Sequence, residues 1–258
     1  MVRDSSRYIT NVVVAFVATY RPTLEFFARK EEAMAEFYPK PFPHWVRGER
    51  HFNLVSKDTR RVIRFDANKF VLRAEGHSTM RPYEELIAIA TKLFTIFDVR
   101  DLFGAGLTVI RAHEQPTRKD ARSRFAGAFL THPAHDLMPM DGDTDYGVVF
   151  DRRGTVSADL VEMKPALAPL RLQQKISTGP TDYKEIGERY VEFTKNADNE
   201  LYKTEHVGPD FGVVATIEIM LYRHKAKEGV AAANLWKFHD WARAEVESHW
   251  AKIEKVIG

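Results

Sequence analysis

Along this chain the spacing of apolar residues switches repeatedly between two periods, and each switch marks an element. Val12–Tyr20 (VVVAFVATY) is apolar on both faces and rich in β-branched and aromatic residues, as a central strand should be. Pro22 ends it. Thr23–Phe37 then places Leu24, Phe27, Met34 and Phe37 on one side and Arg29, Lys30, Glu31 and Glu32 largely opposite, the pattern of a helix. The stretch Pro39-Lys40-Pro41-Phe42-Pro43 cannot continue a helix and predicts an extended loop.

A strict alternation follows. His51–Ser56 turns Phe52 and Leu54 inward, Arg61–Phe65 turns Ile63 and Phe65 inward, and Lys69–Glu75 sets Phe70, Leu72 and Ala74 against Val71, Arg73 and Glu75. Turns fall at Lys57–Arg60 and Asp66–Asn68, where Asn tolerates a left-handed backbone. One apolar and one polar face predict an antiparallel meander. Pro82–Val99 is a helix, with Pro82 in its first turn and Tyr83, Leu86, Ala90, Leu93 and Phe97 at helical spacing. Leu107–Ile110 is a strand. The order is therefore β-α-β-β-β-α-β across Arg7–Arg111.

The polar segment Ala112–Thr144 holds one short helix around Arg122–Leu130. Tyr146–Phe150 and Thr155–Glu162 predict a hairpin around Arg152-Arg153-Gly154, Leu170–Ile176 a strand, and Asp182–Lys195 a helix weakened by Gly187. Val213–Tyr222 is a strong strand. Ala231–Ile257 is a closing helix about 40 Å long. The segments Val12–Arg21 and Val213–Arg223 echo each other, each leading into a helix.

The expected fold class is α+β: antiparallel sheets with helices packed on one face, open to a reading as two pseudo-symmetric β-α-β-type halves. The boundaries expected are an N-terminal β-α-β-β-β-α-β domain at 1–112, a loop or insertion at 113–145, and a C-terminal sheet with its long helix at 146–258, the two packing together as one domain in the alternative reading.

Composition narrows the picture. With 258 residues, 44% apolar and 12% aromatic, the chain can fill a core. It has no cysteine, which excludes disulfides, thiolate nucleophiles and cysteine-ligated metals, and fits the cytoplasm. Net charge is only +2, from 38 basic and 36 acidic residues, with no clustered excess of the kind nucleic-acid binders carry. Val12–Ala18, the longest apolar run, is too short to span a bilayer. Arg3 and Arg7 precede it, but Tyr20-Arg21-Pro22 follows where a signal-peptide cleavage site would stand, so a buried strand is expected.

Candidate chemistry is sparse. Asp141-Gly142-Asp143-Thr144-Asp145 resembles the start of a calcium loop, but Tyr146 replaces the glycine and Arg152 the bidentate glutamate. His132, His135, Asp141 and Asp143 are the residues a metal or small ligand would use, on the loop spanning 131–145, although Pro133 bars the helical His pair of zinc sites. Phosphate-loop, nucleophile-elbow and metalloprotease motifs are all missing. No catalytic residue is assigned, no cofactor is expected, and the balance leans away from an enzyme. Basic residues at Arg61, Arg64 and Arg73 offer a polar sheet face with Phe52 or Tyr8 nearby for stacking, and Trp45 and Trp236 are candidates either for a partner interface or for burial at a domain seam.

Phe52–Asp58, Val62–Leu72, Pro82-Tyr83-Glu84-Glu85-Leu86, Gly106-Leu107, Ala215–Tyr222 and a closing helix with Leu235, His239 and Trp250 together resemble an uncharacterised, sporadically distributed prokaryotic family of about this length, known only by a model number. The resemblance implies this fold and a prokaryotic cytoplasmic setting, and no activity. Gly104 and Arg111 stand where that family has arginine and asparagine, so a ligand role of those residues is not implied here. The leading expectation is a non-catalytic binding or assembly protein acting through protein contacts, self-association included, with no membrane partner. The alternatives are nucleic-acid binding on the basic sheet face, and an enzyme or small-ligand binder using the 131–145 loop.

Overall fold

A computed structural model describes residues 9–56, 58–77, 79–99, 101–130, 147–157, 167–179, 211–222, 230–231 and 233–257. Its strands are β1 (Ile9–Tyr20), β2 (His44–Arg47), β3 (His51–Ser56), β4 (Arg61–Asp66), β5 (Lys69–His77), β6 (Asp101–Glu114), β7 (Gly147–Ser157), β8 (Leu167–Gly179), β9 (Gly212–Tyr222) and β10 (Val230–Ala231). The helices among the described residues are α1 (Glu25–Phe37), α2 (Arg81–Ile96), α3 (Arg118–Phe129) and α4 (Ala233–Ile257). All ten strands lie in one sheet in the order β2-β3-β4-β5-β1-β6-β9-β8-β7, with β10 also on β6, and every pairing is antiparallel.

The fold is thus α+β and antiparallel, as expected, but the halves do not form separate sheets. β1 and β6 pair along nearly their whole length, from Ile9↔His113 to Tyr20↔Leu102. The expected boundary at residue 112 falls inside β6, and α3, at the start of the expected insertion, packs Ala121, Phe125 and Ala126 into the interior. The hairpin expected around Arg152-Arg153-Gly154 is absent: β7 runs straight through those residues, paired with β8 from Gly147↔Ser177 to Ser157↔Leu167. Glycine after two arginines reads as a turn in isolation, whereas a long partner strand supplies a ladder for it to continue. β2, which the spacing did not predict, follows directly on the Pro39–Pro43 stretch and pairs with β3 from His44↔Val55 to Arg47↔Phe52. The helix expected over 182–195 lies outside the described residues.

Local chemistry accounts for the boundaries. Pro82 stands at the start of α2, where a missing N–H costs nothing. Thr117 caps α3, its Oγ1 accepting from the Asp120 amide at 3.1 Å. The left-handed position in the meander is Arg60 (φ 47°) rather than Asn68. Gly48 stands where the β2–β3 connection closes, and a Cβ there would lie 2.2 Å from the His51 ring, which would have to move.

One face of the sheet is covered by the helices. Phe52, Phe65 and Phe70 stand opposite one another on β3, β4 and β5. Their rings stack at 5.8 and 5.5 Å, and Phe26, Phe94 and Phe97 close over them. The cluster continues without a break through Phe16, Leu107, Ile217 and Ile219 to Phe125, Phe238, Val246 and Trp250. A smaller apolar group on the opposite face, Val13, Ala15, Ile110, Ala112 and Val214, explains why β1 reads as apolar on both sides.

Candidate functional site: an aromatic stripe and a polar sheet face

Two surfaces stand out among the described residues. The first runs along the outside of α1. Leu24, Phe27, Ala28, Ala35 and the following Tyr38 are all exposed and, at about 100° per residue, share one side of the helix with the exposed Glu31. The inner side buries Phe26, Lys30, Ala33, Met34 and Phe37. Trp45 on β2 meets Tyr38 edge-on at 6.4 Å between ring centroids, extending the stripe onto the terminal strand. Exposures are 85% for Leu24, 50% for Phe27, 46% for Tyr38 and 39% for Trp45. An Arg47–Glu31 ion pair at 2.6 Å crosses from β2 to α1 beside it. Lys30 fixes the same two elements from within: its ammonium donates to the carbonyls of Gly48 (2.8 Å) and Glu49 (3.2 Å), and burial lowers its pKa.

The second surface is the sheet face turned away from the helices. There Arg64 pairs with Asp66 at 3.1 Å and Arg73 with Glu75, each two residues along its own strand. Burial raises the Glu75 carboxyl above its ordinary value despite Arg73. Asn53, 2% exposed, lies directly across from Arg64, and its Oδ1 has no hydrogen-bond partner. Further across, the Thr108 hydroxyl donates to Glu218 at 3.4 Å.

Arg61 does not join this basic face. It has the parity of Ile63 and Phe65, so it points under the helices, where it pairs with Glu85 at 2.5 Å and lies 6.0 Å from the Phe42 ring centroid. Trp236 is half-buried and packs against Phe16, Phe94 and His239. Of the expected contact residues, Trp45 is exposed on the α1 side, and Arg64 and Arg73 are half-buried on the opposite face. The structure does not gather them. His132, His135, Asp141 and Asp143 lie outside the described residues.

Two further buried polar contacts tie α4 to its neighbours, one to the sheet and one to α2. Arg111 makes a two-pronged contact with Glu247 of α4, one arm at 2.8 Å, with Trp250 at 5.5 Å from its guanidinium. His239, fully buried, stacks on Tyr83 of α2; its Nε2 lies 3.0 Å from the Tyr83 hydroxyl and its Nδ1 3.0 Å from Asp240. Burial keeps this imidazole below its ordinary pKa and the Tyr83 phenol well above its own, so at neutral pH the phenol donates to a neutral ring. These groups lie inside packed elements, away from both surfaces. No group of three potential metal-ligating side chains occurs among the described residues, and no described helix is long and apolar enough to cross a membrane.

No protein-family model matches the chain, and no curated protein matches it.

Proposed function

We propose that this is a non-catalytic binding or assembly protein that acts through protein–protein contacts, self-association among them. The observation that carries the reading is a set of exposed large apolar side chains on and beside α1, Leu24, Phe27, Tyr38 and Trp45, with Tyr38 and Trp45 in contact and Glu31 among them. Single exposed apolar side chains are ordinary, but a row of them with two aromatic rings in contact is the composition of an interface centre. β2 adds a second mode of contact: as the last strand in the order, it offers main-chain groups to an incoming segment. Arg47 and Glu31 supply the polar rim.

The nucleic-acid alternative draws less support. Arg64 and Arg73 are balanced by Asp66 and Glu75, and Arg61 faces the other way, so the open face lacks the excess of positive charge that phosphate backbones select. A cytoplasmic setting completes the reading, in keeping with the absence of cysteine.

Light scattering coupled to size exclusion, together with affinity capture from the native host, tests the proposal. Wild type is expected as a dimer or larger, or with a stoichiometric protein partner. Phe27→Glu and Trp45→Ala should each break that association while leaving the fold intact. A monomer without any partner would overturn it.

A further inference from the structure

From the edge of the sheet we infer that two copies of the chain join through β2, antiparallel and about a two-fold axis at Val46, so that the sheet runs on from one copy into the other. The inference rests on the proposed protein–protein role and names the partner as a second copy. β2 is the end strand of the order, and no strand pairs with its outer edge among the described residues. The ladder bonds fix which of its groups face outward. Gly48 donates to the His51 carbonyl at 2.9 Å, and on the far side of β3 Ala67 donates to the Arg50 carbonyl at 3.1 Å. Bonding alternates residue by residue in an antiparallel ladder, so His44, Val46 and Gly48 turn their main-chain groups toward β3. Trp45 and Arg47 turn theirs outward, to the edge.

A copy of the same strand is the complement of that edge. With the axis at Val46, Trp45 stands opposite Arg47 in both directions, and every N–H and C=O that these residues turn outward meets its counterpart. Moving the axis to Trp45 would set Arg47 against Pro43, which has no N–H, and moving it to Arg47 would set two guanidiniums against each other. The side chains agree with the axis at Val46. Trp45 and Arg47 lie across from Leu54 and Phe52, so both belong to the helix-covered face. Directly opposed residues share a face, so each Trp45 ring comes beside the partner's Arg47 guanidinium, a cation–π contact made twice by symmetry. The Arg47–Glu31 ion pair keeps the guanidinium on this side, and Tyr38 backs the indole. Trp45 and Arg47 are both exposed in the single chain, so both are open to that contact. A foreign strand would gain only a short ladder from an edge of 4 residues, whereas the second copy adds the paired Trp45 and Arg47.

The lack of cysteine makes the test direct. In the inferred register the two Val46 positions form a non-hydrogen-bonded pair about 4.5 Å apart at Cα, within the span that a disulfide bridges. Val46→Cys should therefore become a covalent dimer on mild oxidation, while Asp151→Cys on β7, the other end strand, should run as a single chain on a denaturing gel. Arg47→Pro removes an outward N–H and should halve the mass found by light scattering with the circular dichroism spectrum unchanged, since an edge strand tolerates proline where its N–H faces solvent. If Arg47→Pro fails to fold, the Val46→Cys cross-link decides. A dimer that cross-links through Asp151→Cys and not through Val46→Cys, or one that Arg47→Pro leaves whole, would overturn this interface. A wild-type monomer that captures a different protein from the host removes this inference alone, whereas a monomer with no partner removes the protein-binding reading with it.

Discussion

Under the helices, Phe52, Phe65 and Phe70 face one another across three strands and stack ring on ring; one residue further along, on the other face, the same strands present Asn53, Arg64 and Val71. The backbone ladder is the same for both rows. The helix-covered row is solved by shape: aromatic area leaves water, and every added neighbour strengthens it. The open row is solved by pairing: Arg64 needs Asp66, Arg73 needs Glu75, and Asn53 is left wanting a donor. Because side chains alternate with period two, a slip of one residue would exchange the rows, putting charge beneath the helices and phenylalanines outside, so the contrast between the faces also locks the register.

Breaking the covered face should therefore be far more costly than editing the open one. Phe65, with five aromatic neighbours and no exposure, is its centre; Phe65→Ala should cost about 3–5 kcal/mol in urea unfolding. Glu247→Gln, which removes the carboxylate from the two-pronged contact with buried Arg111, should cost roughly 1–3 kcal/mol, moderated because Glu247 itself is half in solvent. Cutting the Tyr83–His239 bond by Tyr83→Phe should cost about 1–2 kcal/mol by leaving a buried ring nitrogen unpaired.

His239 also gives the contrast a pH signature. Its folded pKa is depressed, so the unfolded chain takes up the proton first, near the ordinary value of 6.5. The stability this confers is complete above that value and is lost as pH falls below it, until the folded imidazole protonates too. His51, His77 and His113 are depressed as well, mainly by burial, and act in the same direction. His239→Gln should flatten the stability-versus-pH curve between neutrality and mild acid without abolishing its slope. At the small end, Thr108→Val on the open face should change stability by less than about 1 kcal/mol, since its bond to Glu218 is long and half in solvent. A loss as large as that of Phe65→Ala would end the comparison.

Much of this was legible one strand at a time. Alternation placed Phe52, Ile63, Phe65, Phe70 and Leu72 on the buried face and Arg64 and Arg73 opposite, and both outer helices of the first half emerged from spacing alone. The same parity already put Arg61 with the buried set; its charge suggested otherwise, and Glu85, twenty-four residues away, is what makes its burial tolerable. Trp45 and Trp236 could not be told apart by type. One stands on a terminal strand, the other beneath a helix against Phe16. Asn53 carried no signal at all, since an unpaired oxygen is visible only after every nearby donor has been located.

Periodicity and composition determined by themselves that this chain builds an antiparallel sheet under helices, because those properties are written in neighbouring residues. Only the tertiary structure decided that the two halves share one sheet through β1 and β6, that Leu24 and Phe27 of α1 stay exposed, and that Asn53 stands across from Arg64 with its side-chain oxygen unpaired. Strand order and burial arise from contacts between residues far apart in the chain, and no local pattern encodes which strand will find which.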